Sequence, residues 1–135
     1  MKYTWILLPL FAFIISSCNK IESYPKRIIG GWILNKYVVD SDIQTEVFKS
    51  NKKNYVISFF EDKSFTETYV DTNNALIAQM GMYTFNEKSD SLITYTQTDT
   101  IKYGITSINS NALNLKIVET VNNTQLTYLY QFVRK

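Results

Sequence analysis

A period of two runs through the C-terminal segment of the chain. Alternate positions there hold Leu126, Tyr128, Tyr130, Phe132 and Arg134. Just before them, Leu113, Leu115 and Ile117 repeat with the same spacing. Because alternate side chains of a β-strand point to the same face, both segments are predicted strands with one apolar face.

Similar runs, rich in β-branched and aromatic residues, fill most of the chain from Ile28 onward, and clusters of Asn, Asp, Ser and Lys separate them. The runs favour strands and the clusters favour tight turns. Further strands are predicted at residues 31–39, 55–61, 64–70, 80–86, 91–97 and 100–108. Turns are predicted at 61–64, 87–90, 109–111 and 122–123.

Eight short strands joined by tight turns imply an all-β fold, a single antiparallel up-and-down meander. An open flat sheet would leave an apolar face and two edges exposed, so we expect closure into a small barrel or packing as a two-sheet sandwich. Residues 40–54 are ambiguous, because Ile43, Val47 and Phe48 fit a short helix and the segment fits a polar loop equally well. Residues 71–79 stay unassigned.

Composition excludes several classes of function. The chain has no histidine and one cysteine, which excludes histidine-based nucleophile systems, the usual zinc sites and an intrachain disulfide. Its net charge of +2 argues against electrostatic binding of nucleic acid. With four glycines it has no phosphate-binding loop, and it has no calcium loop. The sequence therefore predicts neither a metal site nor a cofactor.

The N-terminus has the layout of an export signal. One lysine precedes an apolar run at 5–15, which is shorter than the ~20 residues that span a bilayer and contains a proline. The tetrad Ile15-Ser16-Ser17-Cys18 resembles the lipobox of bacterial lipoproteins. That resemblance implies cleavage before Cys18 and acylation of this cysteine with chains such as palmitate. An ordinary secretory signal with an incidental cysteine is the alternative.

These features predict three regions: a signal peptide at 1–17, a lipidated N-terminus and tether at 18–27, and a barrel domain at 28–135. We expect a monomeric domain that Cys18 anchors in a bacterial envelope, at the outer membrane. Multiple acyl chains hold a protein stably, since each buried methylene contributes about 0.8 kcal/mol.

Short motifs occur in a fixed order along the predicted strands. They are Gly30-Gly31-Trp32, the hairpin at 59–65, Gly81-Met82-Tyr83, Leu92-Ile93-Thr94 and the segment at 130–134. Their order and spacing resemble the lipocalins, which are marked by Gly-x-Trp, and the small lipocalin-like domains of Bacteroidota-type lipoproteins. Lys63 departs from the pattern, because it stands where the related hairpin has a turn glycine.

The resemblance implies that the tryptophan of the first strand packs inside the closed end of the barrel, near an arginine of the last strand. The corresponding residues here are Trp32 and Arg134. Strand parity and the motifs predict an inward set that is the candidate ligand-binding surface: Trp32, Leu34, Ile57, Phe59, Phe65, Tyr83, Leu92, Ile105, Leu115, Tyr130 and Phe132. The same bulky side chains could instead fill the interior.

Carboxylates are the remaining candidates for catalysis. Three pairs of carboxylates lie close together in the sequence: Glu61 and Asp62, Asp40 and Asp42, and Glu87 and Asp90. All of them fall in predicted turns or loops, where acids act as solvated turn formers. No catalytic residue is predicted.

Glu67 is less ordinary, because it shares strand parity with Phe65 and Tyr69. If those two side chains face inward, Glu67 does as well, and a buried acid needs a partner or a ligand. A strand bulge or a wet barrel mouth is the alternative. The ten tyrosines could line a ligand surface, but half-buried strands favour tyrosine in any case.

We therefore predict a non-enzymatic, membrane-anchored lipoprotein that binds a small apolar or amphipathic ligand in its barrel. The alternative is a protein-interaction or accessory module with a filled barrel core. A pocket of several hundred Å³ favours the first reading, and a filled barrel with an exposed apolar patch favours the second.

Overall fold

The computed structural model describes residues 24–135. The predicted signal peptide, Cys18 and the first part of the tether lie outside the described residues. The elements in chain order are α1 (Tyr24–Arg27), β1 (Gly30–Val39), β2 (Asp42–Ile43), α2 (Thr45–Asn51), β3 (Lys53–Phe59), β4 (Ser64–Val70), β5 (Leu76–Phe85), β6 (Ser91–Tyr95), β7 (Thr100–Ile108), β8 (Ala112–Val121) and β9 (Thr124–Arg134). Over residues 24–135, none of the helices is long and apolar enough to cross a membrane.

Eight of these strands form a closed antiparallel barrel. β1 pairs with β3, each strand from β3 to β8 pairs with the next, and β9 pairs back with β1. The ninth strand, β2, is two residues long and extends the sheet beside the end of β1. The predicted all-β meander closed into a barrel is therefore confirmed, and the two-sheet sandwich is not what forms.

The predicted strands match the observed ones, with differences at their ends. β4 and β7 have the predicted bounds. β5 starts at Leu76 rather than at 80, because its first residues pair with β4 as far as Val70. Residues 40–54 contain β2 and the helix α2, so the helix is the alternative that forms.

The hairpin between β3 and β4 shows how the chain turns without the expected glycine. Lys63 adopts the left-handed conformation, with a φ of 69°. Beside it, Oδ1 of Asp62 accepts hydrogen bonds from the backbone N–H of Ser64 at 2.9 Å and from its hydroxyl at 2.6 Å. This Asx-type turn holds the hairpin, so the departure at Lys63 leaves the strand pairing unchanged.

The two ends of the barrel differ in packing. At the end where β1 begins, which we call the Trp32 end, the largest buried side chains meet in one core; they are Trp32, Tyr83, Phe59, Ile28, Leu92, Leu113 and Leu115. The short helix α1 belongs to this end, because Tyr24 packs against the core and Ile28 is fully buried. Residues 24–27, the last part of the predicted tether, thus contact the barrel.

At the opposite end, which we call the α2 end, neighbouring strands separate. Among the residues that the structure describes, β1 pairs with β3 over residues 30–33 only. β5 likewise pairs with β6 over 82–85 only. The inward side chains at this end are therefore less enclosed than those at the Trp32 end, and α2 lies in the connection between β1 and β3.

Candidate functional site

The Trp32 end is closed by a cluster around Arg134. The guanidinium carbon lies 3.9 Å from the centroid of the Trp32 ring. Nη1 donates to the carbonyl of Ile29 at 2.7 Å, and Nη2 donates to that of Arg27 at 3.0 Å. Nε donates to the carbonyl of Ser110 at 3.1 Å. The arginine therefore ties β9 to α1, to the start of β1 and to the β7–β8 turn.

The absence of a side chain at Gly30 leaves room for the Arg134 guanidinium. The φ of Gly30 is +122°, and a Cβ there would lie 2.6 Å from Nη1 of Arg134. The indole N–H of Trp32 donates to the carbonyl of Ile28 at 2.7 Å, which gives this fully buried ring a polar partner. The arrangement leaves no opening for a ligand between the arginine and the indole.

The structure brings the eleven sequence-predicted interior residues together inside the barrel. Nine are buried in one core: Trp32, Leu34, Ile57, Phe59, Phe65, Tyr83, Leu92, Leu115 and Phe132. Ile105 and Tyr130 are partly buried and pack against that core. With the exception of Tyr130, which reaches the opposite half, these residues fill the Trp32 half of the barrel, so the candidate site lies above them, toward the α2 end.

Aromatic side chains line the α2 half. Neighbouring ring centroids are 4.9 to 6.3 Å apart. The members, which we call the aromatic cluster, are Tyr37, Phe48, Tyr55, Tyr69, Tyr103 and Tyr130. Tyr55 is buried and the other five are only partly buried, so the cluster offers apolar ring surface that the core does not cover.

Helix α2 is held against this cluster by two of its side chains. The Thr45 hydroxyl oxygen accepts the backbone N–H of Tyr37 at 2.9 Å, and the hydroxyl donates to the carbonyl of Tyr37 at 3.3 Å. One turn on, Phe48 points into the barrel, where its ring contacts those of Tyr37, Tyr55 and Tyr130. The helix thus places one aromatic ring of its own over the interior.

Lys52, the last residue of the connection between β1 and β3, brings a positive charge to the aromatic cluster. Nζ of Lys52 forms an ion pair with Oε1 of Glu67 at 3.0 Å. It also lies 4.6 Å from the ring centroid of Tyr69, 5.3 Å from Tyr55 and 5.8 Å from Phe48. Glu67 does face inward, as strand parity predicted, and Lys52 is the partner that a buried acid requires.

Burial raises the pKa of four tyrosines in the aromatic cluster, and the Glu67 carboxylate adds to the effect at two of them. Burial raises the pKa of Tyr55 well above its usual value, and the nearby Glu67 carboxylate raises it further. The pKa of Tyr103 is raised by the same two causes in the same order. Burial also raises the pKa of Tyr37 and of Tyr130. The phenols are therefore neutral donors and acceptors at physiological pH.

A groove of about 470 Å³ opens beside α2, where β1 and β3 separate. It is lined by Ile33, Leu34, Lys49, Lys53, Asn54 and Tyr55. Leu34 and Tyr55 are buried barrel residues, so the groove reaches the wall of the aromatic half from outside. Asn54 has a φ of 54°, which marks the point where β3 departs from regular pairing.

Metal-ligating side chains do not cluster in the part of the chain that the structure describes. No group of three or more His, Cys, Asp or Glu there could hold a metal ion. The acidic pairs noted in the sequence are on exposed residues and lie in connections between strands, except for Asp42, which belongs to the short strand β2 and pairs with Val39; the predicted loop position is wrong for that residue. Hydrogen bonds from Ser64 hold the pKa of Asp62 below its usual value, which fits a turn former.

Sequence reasoning found Glu67 and Tyr130 but missed the rest of this site. Strand parity links Tyr69 to Glu67, but Tyr37, Tyr55 and Tyr103 enter the prediction only as members of a large set of strand tyrosines. Their common position toward one barrel end could have been found by placing each predicted strand in the meander and counting from its turns. Phe48 and Lys52 carried no such signal, because they lie in the ambiguous segment 40–54.

No protein-family model and no curated protein matches the sequence. Solved structures do match the fold. A lipocalin-like protein from Bacteroides uniformis is 12% identical, with a TM-score of 0.59, over 81% of this chain and 99% of the other. Japanin from Rhipicephalus appendiculatus, solved with cholesterol bound, is 13% identical, with a TM-score of 0.61, over 83% and 78%. Bovine odorant binding protein, in complex with a selenium-containing odorant, is 9% identical, with a TM-score of 0.53, over 84% and 74%.

These comparisons define the class of fold. The chain forms a lipocalin-like barrel with one extra strand, and its structural neighbours include a Bacteroides lipocalin-like protein. At identities of this size the likeness extends to the fold alone.

Proposed function

We propose that the protein is a membrane-anchored envelope lipoprotein that binds a small apolar or amphipathic molecule in the α2 half of its barrel. One observation carries the proposal: five partly exposed aromatic rings surround Tyr55 above a solid core. Small-molecule sites are mostly apolar and aromatic, with a few polar groups that orient the ligand. The phenol hydroxyls and the Lys52–Glu67 pair are such groups here.

The structural neighbours support this choice of ligand. Japanin was solved with cholesterol and the bovine protein with an odorant, and both share this fold. Eight-stranded barrels have room for one small ligand, provided that side chains do not fill the interior. In this chain the Trp32 half is filled, so the ligand is expected at the α2 end, with the groove beside α2 as an entry route.

Binding rather than catalysis fits the side chains at this end. The acid beside the aromatic cluster, Glu67, is held in an ion pair with Lys52, and residues 24–135 have no group of three or more His, Cys, Asp or Glu that could hold a metal ion. General acid–base catalysis is most efficient when the pKa of the catalytic group lies near the operating pH, whereas burial moves the pKa values of Tyr55 and Tyr103 upward, away from it. We therefore propose a non-enzymatic role that involves neither metal nor cofactor.

Native mass spectrometry tests the binding proposal. The domain from residue 19 onward, purified from a bacterial periplasm without detergent, is expected to carry an adduct of a few hundred daltons that solvent extraction removes. Added 1-octanol should bind to the extracted protein and shift the ring resonances of Tyr69 and Tyr103, since these lie in the aromatic cluster. If no adduct is found and octanol moves no tyrosine signal, the filled-barrel interaction module is the better reading.

The anchor is tested separately in the full chain. Cys18→Ser is expected to move the protein from the membrane fraction to the soluble fraction, because the serine hydroxyl cannot form the thioether that carries the lipid. Fractionation and immunoblotting measure the distribution. Ser16→Ala is the matched control, since it keeps a small residue in the tetrad and should leave the protein on the membrane. Membrane retention of the Cys18→Ser variant would contradict the lipoprotein proposal.

A further inference from the structure

The surroundings of the Lys52 ammonium are those of a receptor for an organic cation. Three rings, those of Phe48, Tyr55 and Tyr69, approach it to between 4.6 and 5.8 Å, and the Glu67 carboxylate contacts it at 3.0 Å. Aromatic rings bind ammonium groups through their negative faces, and a carboxylate adds charge pairing. We call these four side chains the cage.

The cage and the Lys52 side chain that occupies it differ in how firmly the fold holds them. Glu67 lies in the middle of β4, paired on both sides with Ile57 and Gln79, and its side chain is 16% exposed. Lys52 lies just after α2, outside any strand, and its side chain is 37% exposed. The lysine therefore has a path to solvent, whereas the carboxylate and two of the rings belong to barrel strands.

Charge decides what kind of ligand could replace the lysine. With Lys52 turned outward, the cage keeps one formal charge, the negative charge of Glu67. Burial is the main cause of the raised pKa values of Tyr55 and Tyr103, and the Glu67 carboxylate adds to both. An anionic ligand would meet this carboxylate unpaired, while a cation would restore the pairing that Lys52 supplies now.

We propose that the cage binds the ammonium group of a cationic amphiphile, and that Lys52 is a built-in competitor that occupies the cage when no ligand is present. The apolar part of the ligand would lie against the rest of the aromatic cluster. This inference rests on the proposed binding function and specifies the chemical class of the ligand. Lys52 reduces the fraction of protein that is competent to bind, so removing it should raise the apparent affinity.

The experiment compares three probes that share one tail: octyltrimethylammonium, 1-octanol and octanoate. Isothermal titration calorimetry measures their binding to the extracted wild-type domain and to Lys52→Met, which keeps the length of the stem and removes the charge. Octyltrimethylammonium is expected to bind wild type more tightly than the other two probes do. Lys52→Met should bind it about tenfold more tightly than wild type, with little change for octanol.

Two further variants separate charge from folding. Lys88→Met removes one exposed lysine from the turn between β5 and β6, far from the cage, and should leave all three affinities unchanged. The double variant Lys52→Met with Glu67→Gln keeps the shape of the cage without its charge, so it should lose the preference for the cation over octanol. Thermal unfolding of each variant confirms that the barrel is folded.

The outcomes separate this inference from the function on which it rests. If octanol binds but the ammonium probe binds no better in either wild type or Lys52→Met, the cage proposal is wrong and the binding function stands. Preferential binding of octanoate would also overturn it, in favour of Lys52 as an anion site. If none of the probes binds to any variant, the proposed binding function fails and the cage proposal fails with it.

Discussion

Replacing Arg134 with alanine is expected to lower the free energy of unfolding by about 3 kcal/mol, because hydrogen bonds from a charged donor contribute about 1.5–3 kcal/mol each and do not add fully. Three carbonyls, those of Arg27, Ile29 and Ser110, would lose their guanidinium partner. The indole of Trp32 would lose the cation that lies 3.9 Å from its ring centroid. For a domain of this size the melting temperature should fall by about 10 °C.

Thermal unfolding and tryptophan emission measure the effect together. Trp5 is the other tryptophan of the chain and lies in the predicted signal peptide, so the domain from residue 19 onward reports on Trp32 alone. Lys135→Ala is the matched control, because it removes a neighbouring exposed charge and should change neither signal. An Arg134→Ala variant with an unchanged melting temperature and emission maximum would rule out a closing role for this arginine.

The sequence was informative about this end of the barrel for a physical reason. A strand fixes side-chain direction with a period of two, so one correct face for β9 places Arg134 on the same side as Phe132 and Tyr130. Antiparallel closure then aligns Trp32 with Arg134. Most of the core could be predicted in this way, because burial in a meander follows from parity and turn positions.

The α2 end depends on information that periodicity does not carry. Seven residues of helix, Thr45–Asn51, are too few for a clear helical repeat, and the side chain of Gln44 does not cap the helix. The helix is held by tertiary contacts instead, through Thr45 and Phe48. The position of Lys52 depends on those tertiary contacts. For this reason the sequence could predict that Glu67 needs a partner, but it could not identify Lys52 as that partner.

The well-predicted core and the candidate ligand surface lie in different halves of the barrel. The residues that strand parity predicts well are the buried ones packed around Trp32. The candidate ligand surface includes rings at points where strands separate: Tyr37 lies beyond the last pairing of β1 with β3, and Tyr103 lies beyond the pairing of β7 with β8. Exposed ring surface at the α2 end has a cost in folding free energy, and binding of a ligand there would cover it.

A second large effect is expected at Gly81, in the middle of β5. A Cβ at this position would overlap the backbone carbonyl oxygen of Tyr95 and lie 2.6 Å from Cε1 of Phe65. The Tyr95 oxygen cannot retreat easily, because Tyr95 pairs with Met82 where β5 meets β6. Gly81→Ala should therefore lower the free energy of unfolding by about 3 kcal/mol, at the upper end of what overpacking costs. Urea denaturation followed by Trp32 emission measures this value.

Gly104 provides the matched control for that prediction. It also lies within a barrel strand, β7, but the nearest atom to an added Cβ is the carbonyl oxygen of Lys116 at 3.7 Å, an ordinary contact. Gly104→Ala should change the free energy of unfolding by less than about 0.5 kcal/mol, and the loss of backbone freedom in the unfolded chain favours a small gain. Equal destabilisation by the two substitutions would mean that strand glycines matter here through the backbone alone. A large effect at Gly81 only would show that β5 and β6 need a residue without a side chain where they come together, next to the last pair, Met82 and Tyr95. Beyond that pair the two strands separate toward the α2 end, so the close contact at Gly81 would mark where the barrel begins to open.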